Sequence, residues 1–472
     1  MSQDTPGGAA VDPETAGQVS QQDAAPQAVP DAVSPDPLAE RPSGERTWGF
    51  RTRSLHAGGT PDSATGARAV PIYQSTSFVF EDTADAANLF SLQKYGNIYS
   101  RLANPTVAAF EERIASLEGG IGAVATASGM SAEFITLAAL AGAGDHVVAS
   151  SQLYGGTVTL LDVTLRRFGV ETTFVAGTDP ADYAAAIRPN TKAVYTEVVA
   201  NPSGQVADLE GLAAVAHAEG VPLVVDATLT PPYLVRPIEH GADIVIHSAT
   251  KFLGGHGTTL GGVVVESGRF DWGSGRFPQM TEPVPSYNGI RWWQNFGEYG
   301  FLTKLRSEQL RDTGPSLSAQ SAFQLLQGVE TLAPRMEEHL RNARGVAEWL
   351  DRDSRVAWVN WAGLPSHVHF ERAQRYLPLG PSSVFSFGVA GDREAGRRFI
   401  EAVQLASHLA NVGDTRTLVI HPASTTHQQL SAEQLEVGGV KPELVRISVG
   451  LEDLDDILWD LDQALTAAVK EG

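Results

Sequence analysis

The sequence predicts an α/β protein built on a mostly parallel, seven-stranded sheet with helices on both faces, followed by a smaller α+β part. Three observations predict it. From about residue 105, short apolar runs alternate with segments of helical spacing. Several of those runs are apolar throughout, as strands covered on both faces are. The chain's 472 residues exceed what one hydrophobic core normally serves.

Strands are expected at 123–127, 146–150, 171–175, 193–199, 222–226, 244–247 and 262–266. Helices are expected between them at 131–140, 157–168, 179–187 and 209–218, the last ending just before Gly220 as a helix stop requires. Beyond residue 266 the alternation gives way to an aromatic, Gly/Pro-rich stretch at 270–301 that holds Trp272, Tyr287, Trp292, Trp293 and Phe296. It is either an elaboration over the functional site or a packed loop or subunit contact. A helix at 335–350 follows, then strands at 383–389 and 445–449 with helices at 394–406 and 455–469. The expected division is a tail at 1–47, an arm at 48–104, the α/β domain at 105–334 with an insertion at 267–313, and the α+β domain at 335–472.

Residues 1–47 lack any aromatic side chain and are rich in Pro, Ala, Gln and Asp, so they hold too little apolar surface to offset the entropy of ordering. They read as a disordered acidic extension. The rest is globular in composition, with 42% hydrophobic and 19% charged residues overall. A net charge of -21 argues against nucleic acid or an anionic membrane surface as the main partner. The absence of cysteine removes disulfides, thiolate metal sites and cysteine nucleophiles. No apolar run approaches the roughly 20 residues that span a bilayer, and the amino terminus lacks a signal-peptide pattern, so residence in the cytoplasm is expected.

In a sheet of this kind ligands sit beyond the carboxyl ends of the strands, which makes the polar residues there the candidates. Ser248-Ala249-Thr250-Lys251 follows the apolar strand 244–247, and a primary amine in that position forms an imine with an aldehyde cofactor. A solvated surface lysine is the ordinary alternative. Asp226 closes the run Pro222-Leu223-Val224-Val225-Asp226, where an acid binds metal, caps a helix or keeps a pyridine nitrogen protonated. Its pairing with Lys251 favours the third role. Ala127-Ser128-Gly129-Met130 leads from strand to helix, and the first free amides of a helix accept phosphate oxygens, although a simple helix cap has the same appearance. No Walker-type glycine loop follows any of the strands, which disfavours a nucleoside triphosphate. Arg101, two residues after Tyr99, either grips phosphate or forms a surface ion pair. Arg446 sits in the apolar run 444–449, where its charge needs either a substrate carboxylate or a buried structural acid.

Taken together these residues resemble the Cys/Met-metabolism family of pyridoxal-phosphate enzymes, within the aspartate-aminotransferase-like (type I) fold group. The resemblance runs from about residue 52 to the carboxyl end. It rests on YSRLANPT at 99–106, SGM at 128–130, LYGGT at 153–157, NPSG at 201–204, VVDAT at 224–228, HSATKFLGGHG at 247–257, HPASTTH at 421–427 and VRISVGLED at 445–453. The resemblance implies pyridoxal phosphate bound to Lys251, with Asp226 at the pyridine nitrogen, Tyr154 stacked on the ring and Asn201 at the phenolic oxygen. It further implies a phosphate cradle of Ser128, Gly129, Met130, Ser248 and Thr250, with Tyr99 and Arg101 reaching the phosphate from a neighbouring subunit of a dimer or tetramer. Arg446, with Ser424 nearby, would take the substrate's α-carboxylate, and no metal is implied.

Within the family, the run SATKFLGGHGTTLGGVVVESGRFDW and the aromatic stretch after it look most like the O-acetylhomoserine sulfhydrylases, which join sulfide or a thiol to O-acetylhomoserine and in some members accept O-acetylserine. The rivals are a γ-lyase, an enzyme for O-succinylhomoserine and a catalytically silent cofactor-binding protein. VVDATLTPPYL replaces the commoner VVDNTFATPYL of the family, a departure that bears on substrate preference.

Overall fold

The computed structural model describes residues 48–425 and 441–469. The acidic segment 1–47 and positions 426 and 427 of the HPASTTH run lie outside the described residues.

The larger sheet has seven strands: β1 (Gly122–Thr126), β2 (His146–Ser150), β3 (Glu171–Val175), β4 (Thr191–Glu197), β5 (Leu223–Asp226), β6 (Ile244–His247) and β7 (Gly262–Glu266). Their spatial order is β1-β7-β6-β5-β4-β2-β3, and β7 runs antiparallel to both neighbours while β2 to β6 are parallel. The apolar strands are explained by cover on both sides. Val194, Val225 and Val245 face one core cluster, and Tyr195, Val224 and Ile246 face the other. Because β7 is antiparallel to β6, no crossover helix separates them, and the segment 248–261 doubles back over the carboxyl ends of the strands. That return carries Ser248 to Lys251.

Local signals account for the helix boundaries. Asn104 caps the helix Pro105–Glu118 by accepting from the Thr106 amide, Pro105 opens it, and Gly119 ends it in the left-handed region at φ 81°. Asp208 caps Leu209–Ala218 in the same manner.

The aromatic stretch is packed. Trp272, Phe277, Trp292 and Phe301 are fully buried in the cluster that covers the second face of the sheet, and Trp272 stacks on Phe301 with ring centroids 4.8 Å apart. The indole N–H of Trp272 donates to Glu266 at 2.7 Å, and burial pushes that carboxyl up to about 8.

A smaller sheet follows, with strands β8 (Val356–Asn360), β9 (Val384–Val389), β10 (Ser407–His408), β11 (Leu418–Ile420) and β12 (Leu444–Ser448) in the order β10-β11-β12-β9-β8. It is antiparallel apart from the β10/β11 pair. The helices Leu332–Arg352, Arg393–Ala402 and Leu454–Val469 contribute Val346, Phe399 and Leu461 to the core against it. Two differences from expectation have simple causes. β10 and β11 are too short to carry a readable period, and the helix expected to reach residue 406 stops at Ala402 because Val403 is extended, with ψ 144°. No helix among the described residues is long and apolar enough to cross a membrane.

Phe301 tests the packing of the aromatic stretch. Phe301→Ala removes a fully buried ring and is expected to cost about 3–5 kcal/mol of stability, seen as a lower urea midpoint.

Candidate functional site

The register aligns Glu197 with Asp226 and Asp226 with Ile246, so β4, β5 and β6 end side by side. Beyond those ends lies a cavity of about 210 Å³. Ten of the residues singled out in the sequence line it: Ser128, Gly129, Met130, Tyr154, Asn201, Asp226, Ser248, Thr250, Lys251 and Arg446.

Lys251 is half-buried in the return segment, and its Nζ donates to Oδ1 of Asn411 at 2.5 Å. Burial lowers the pKa of the amine, and the nearby Arg446 cation lowers it further. More of it is therefore the neutral nucleophile at a given pH than of a solvated lysine. Arg446, in the middle of β12, donates from Nη2 to the backbone carbonyl of the same Asn411 at 3.1 Å. Among the described residues no carboxylate lies within ion-pair distance of it, and burial brings its pKa down to about 10. The structural acid that the sequence left open as a partner is not found among the described residues.

Asp226 is buried and accepts the Thr228 amide at 2.7 Å. Desolvation raises its pKa against the pull of the hydrogen bonds from Thr228 and of the nearby His247. Such a carboxyl is poised to meet a cationic partner in the cavity.

At the other wall Ser128 caps the helix Gly129–Leu140, accepting from the Ser131 amide at 3.2 Å. The first helical hydrogen bond is that of Ala132 to Ser128, so the amides of Gly129 and Met130 come before it, and both residues line the cavity. Gly129 is required by close approach: a Cβ there would lie 2.6 Å from Cβ and 2.9 Å from Cα of Ser248. The hydroxyl of Thr250 donates to the carbonyl of Gly261 and accepts its amide, at 3.2 and 3.0 Å, which closes the return segment. Tyr154 stands on the rim with its ring about half exposed, and its amide donates to Glu197 at 2.5 Å. Asn201 has a buried Oδ1 with no hydrogen-bond partner among the described residues.

Tyr99, Arg101 and Ser424 are not among the lining residues. Arg101 and Tyr99 are exposed and pack on each other, with the guanidinium 5.2 Å from the ring centroid. The hydroxyl of Ser424 is engaged by His421 at 2.9 Å and Arg393 at 3.4 Å, in the short turn Pro422–Ser424 after β11.

Sequence reasoning missed Glu133, Glu197, Thr228 and Asn411, all of which line the cavity. Glu197 ends β4 as Asp226 ends β5, a signal that was available. Burial raises the Glu197 carboxyl well above its ordinary range, with Asp226 the next cause and the Tyr154 amide opposing. Asn411 lies in an irregular loop between β10 and β11 and carries no periodic signal.

Comparison with known proteins places this geometry among relatives. The family model for Cys/Met metabolism PLP-dependent enzymes matches residues 51–466. The chain is 52% identical over 422 residues to the homocysteine synthase of Schizosaccharomyces pombe, covering 89% of this chain and 98% of that protein. It is 48% identical over 423 residues to the O-acetyl-L-homoserine sulfhydrylase of Leptospira meyeri, covering 88% and 96%. Its structure is similar, with a TM-score of 0.86 and 38% identity, to that of a Campylobacter jejuni protein assigned as an O-acetylhomoserine (thiol)-lyase, which carries a pyridoxyl-lysine phosphate; the match covers 89% of this chain and all of that one.

The lowered basicity of Lys251 is open to direct measurement. The rate at which apoprotein forms a borohydride-trappable imine with an aldehyde should reach half its maximum below the ordinary lysine value of about 10.4. Arg446→Gln removes the neighbouring positive charge and should move that midpoint upward, as read by mass spectrometry of the trapped Lys251 peptide.

Proposed function

This chain belongs to the Cys/Met metabolism PLP-dependent enzymes, and from that premise we propose that it replaces the acetoxy group of O-acetylhomoserine with sulfide, giving homocysteine and acetate. A thiol in place of sulfide would give a thioether such as methionine, and O-acetylserine is a second candidate substrate. The names of the relatives support the choice of substrate. The observation that carries the reading is Asn411, whose side chain holds the Lys251 amine while its backbone carbonyl holds the Arg446 guanidinium. An α-amino acid needs those two groups at that proximity, one for chemistry at Cα and one for its carboxylate.

The residues present fit pyridoxal phosphate. Gly129 leaves against Ser248 a recess that a Cβ would fill, the first-turn amides beside it suit phosphate, Asn201 offers a side-chain amide whose buried Oδ1 has no partner among the described residues, and Lys251 offers the amine. When bound, the cofactor supplies an electron sink for negative charge at the carbons beside the substrate nitrogen.

In this reading Ser128, Gly129, Met130, Ser248 and Thr250 hold the phosphate, Asp226 meets the ring nitrogen, and Tyr154 covers the ring face. Arg446 binds the substrate carboxylate and sets which bond at Cα stands next to Lys251. The Lys251 amine, its pKa lowered by burial, would accept the Cα proton, and Asn411 keeps that amine within the cavity. A second proton is lost from Cβ as acetate departs from Cγ, sulfide adds at Cγ, and the two protons return to Cβ and Cα, with Lys251 the donor at Cα, to leave homocysteine. In the same reading Tyr154 donates a proton to the departing acetate. Tyr99 and Arg101, exposed in one chain, are assigned to the phosphate of a neighbouring subunit in a homotetramer, and the enzyme is assigned to the cytoplasm.

Purified holoenzyme given O-acetylhomoserine should form homocysteine and acetate only when sulfide is present. Release of 2-oxobutyrate and ammonia without sulfide would make it a lyase, and turnover confined to O-succinylhomoserine would change the acyl group. Lys251→Ala should lose the visible absorbance of lysine-bound cofactor and at least about a thousandfold in turnover; a wild-type spectrum in that variant removes the assignment.

A further inference from the structure

Two ionisable groups at the cavity, Glu133 and Glu197, have no part in the chemistry above, and of the two only Glu133 has a buried oxygen with no hydrogen-bond partner among the described residues. Glu133 lies one turn into the helix Gly129–Leu140, on the side that packs against the second face of the sheet through Ala132 and Ile135. Alternation along β4 and β5 turns Tyr195, Glu197 and Asp226 toward that same helix. Glu133 is 3% exposed, lines the cavity beside Asp226, and its Oε2 has no hydrogen-bond partner among the described residues.

We propose that Glu133 is a positioning residue that remains a neutral carboxylic acid in the working enzyme, completing the polar wall beside Asp226 so that Asp226 alone presents negative charge to the cofactor ring. The inference rests on the assignment of Asp226 to the ring nitrogen. Three carboxyls, Glu133, Glu197 and Asp226, share this space with the Tyr195 phenol, and Thr157 and His247 face it from the adjoining elements. The cations at the cavity are Lys251 and Arg446, and neither forms an ion pair with any of the three. Ionising all three in one desolvated place is costly, and adjacent like charges raise each other's pKa. Burial, then the Asp226 charge, raises Glu133 to about 8, with Thr157 opposing, so below that pH the proton stays on. The free Oε2 then bonds a polar group that enters the cavity, whether of the cofactor or an ordered water.

Infrared difference spectra of the holoenzyme, wild type minus Glu133→Gln, test this directly. A protonated-carboxyl stretch from Glu133 is expected at neutral pH, converting to a carboxylate stretch only as the pH passes about 8. A carboxylate band already present at neutral pH overturns the proposal. Glu133→Gln, neutral and still polar, should keep the dissociation constant for pyridoxal phosphate within about threefold, whereas Glu133→Leu should weaken binding about tenfold. Equal affinity in the Leu variant and wild type, or equal weakening in both variants, also overturns it. Asp226→Asn separates the two assignments: unchanged cofactor affinity and turnover there would sink the role of Asp226, whatever band Glu133 shows.

Discussion

Five ionisable side chains are withheld from bulk water at the carboxyl edge of one sheet, and that desolvation sets the character of the site. It lowers the Lys251 amine, brings Arg446 to about 10 and raises Asp226, Glu133 and Glu197. In water the same groups would be an unremarkable set of full charges. Here each is displaced toward its neutral form, which makes the lysine a nucleophile and favours a cationic partner for Asp226.

The site is assembled from both sheets, and the join is made largely at backbone carbonyls. Arg335, on the helix Leu332–Arg352, donates to the carbonyls of Phe252, Leu253 and Gly328 at 2.8, 3.3 and 2.7 Å. It thereby ties the first helix of the smaller part to the segment that carries Lys251. From the other side the Thr415 amide donates to the carbonyl of Gly255 at 2.9 Å, while the Gly413 amide donates to Ser448 at 2.9 Å and fixes the β10–β11 loop on β12. A Cβ at Gly413 would lie 2.8 Å from the Phe252 amide nitrogen. These close approaches bring Asn411 to Lys251 and β12 to the cavity, so the chemistry of one sheet depends on the placement of a loop from the other.

Much of this was legible in the residue order. The seven strands of the large sheet stand within a few residues of where apolar runs put them, because a strand buried on both faces has almost no choice of residue. Lys251, Asp226 and the Ser128–Gly129–Met130 turn were found because strand ends are where a parallel sheet must bind ligands. Glu133, Glu197 and Asn411 were overlooked because an acid within a helix, an acid at a strand end and an amide in a loop each have a common solvated alternative. The aromatic stretch 270–301 was undecided for a related reason. Rings that pack on a sheet and rings that cover a site have the same composition.

By itself the sequence determined the alternation of strands and helices, the carboxyl edge as the place of function, and a motif set specific enough to indicate the cofactor, since these depend on local periodicity and on residue types with few chemical uses. Only the tertiary structure decided that Arg446 has no acidic partner within ion-pair reach among the described residues, that Asn411 links it to Lys251, and that three carboxyls share one dry space. Those facts depend on distances between residues far apart in the chain and on how little water reaches them, and no local pattern encodes either.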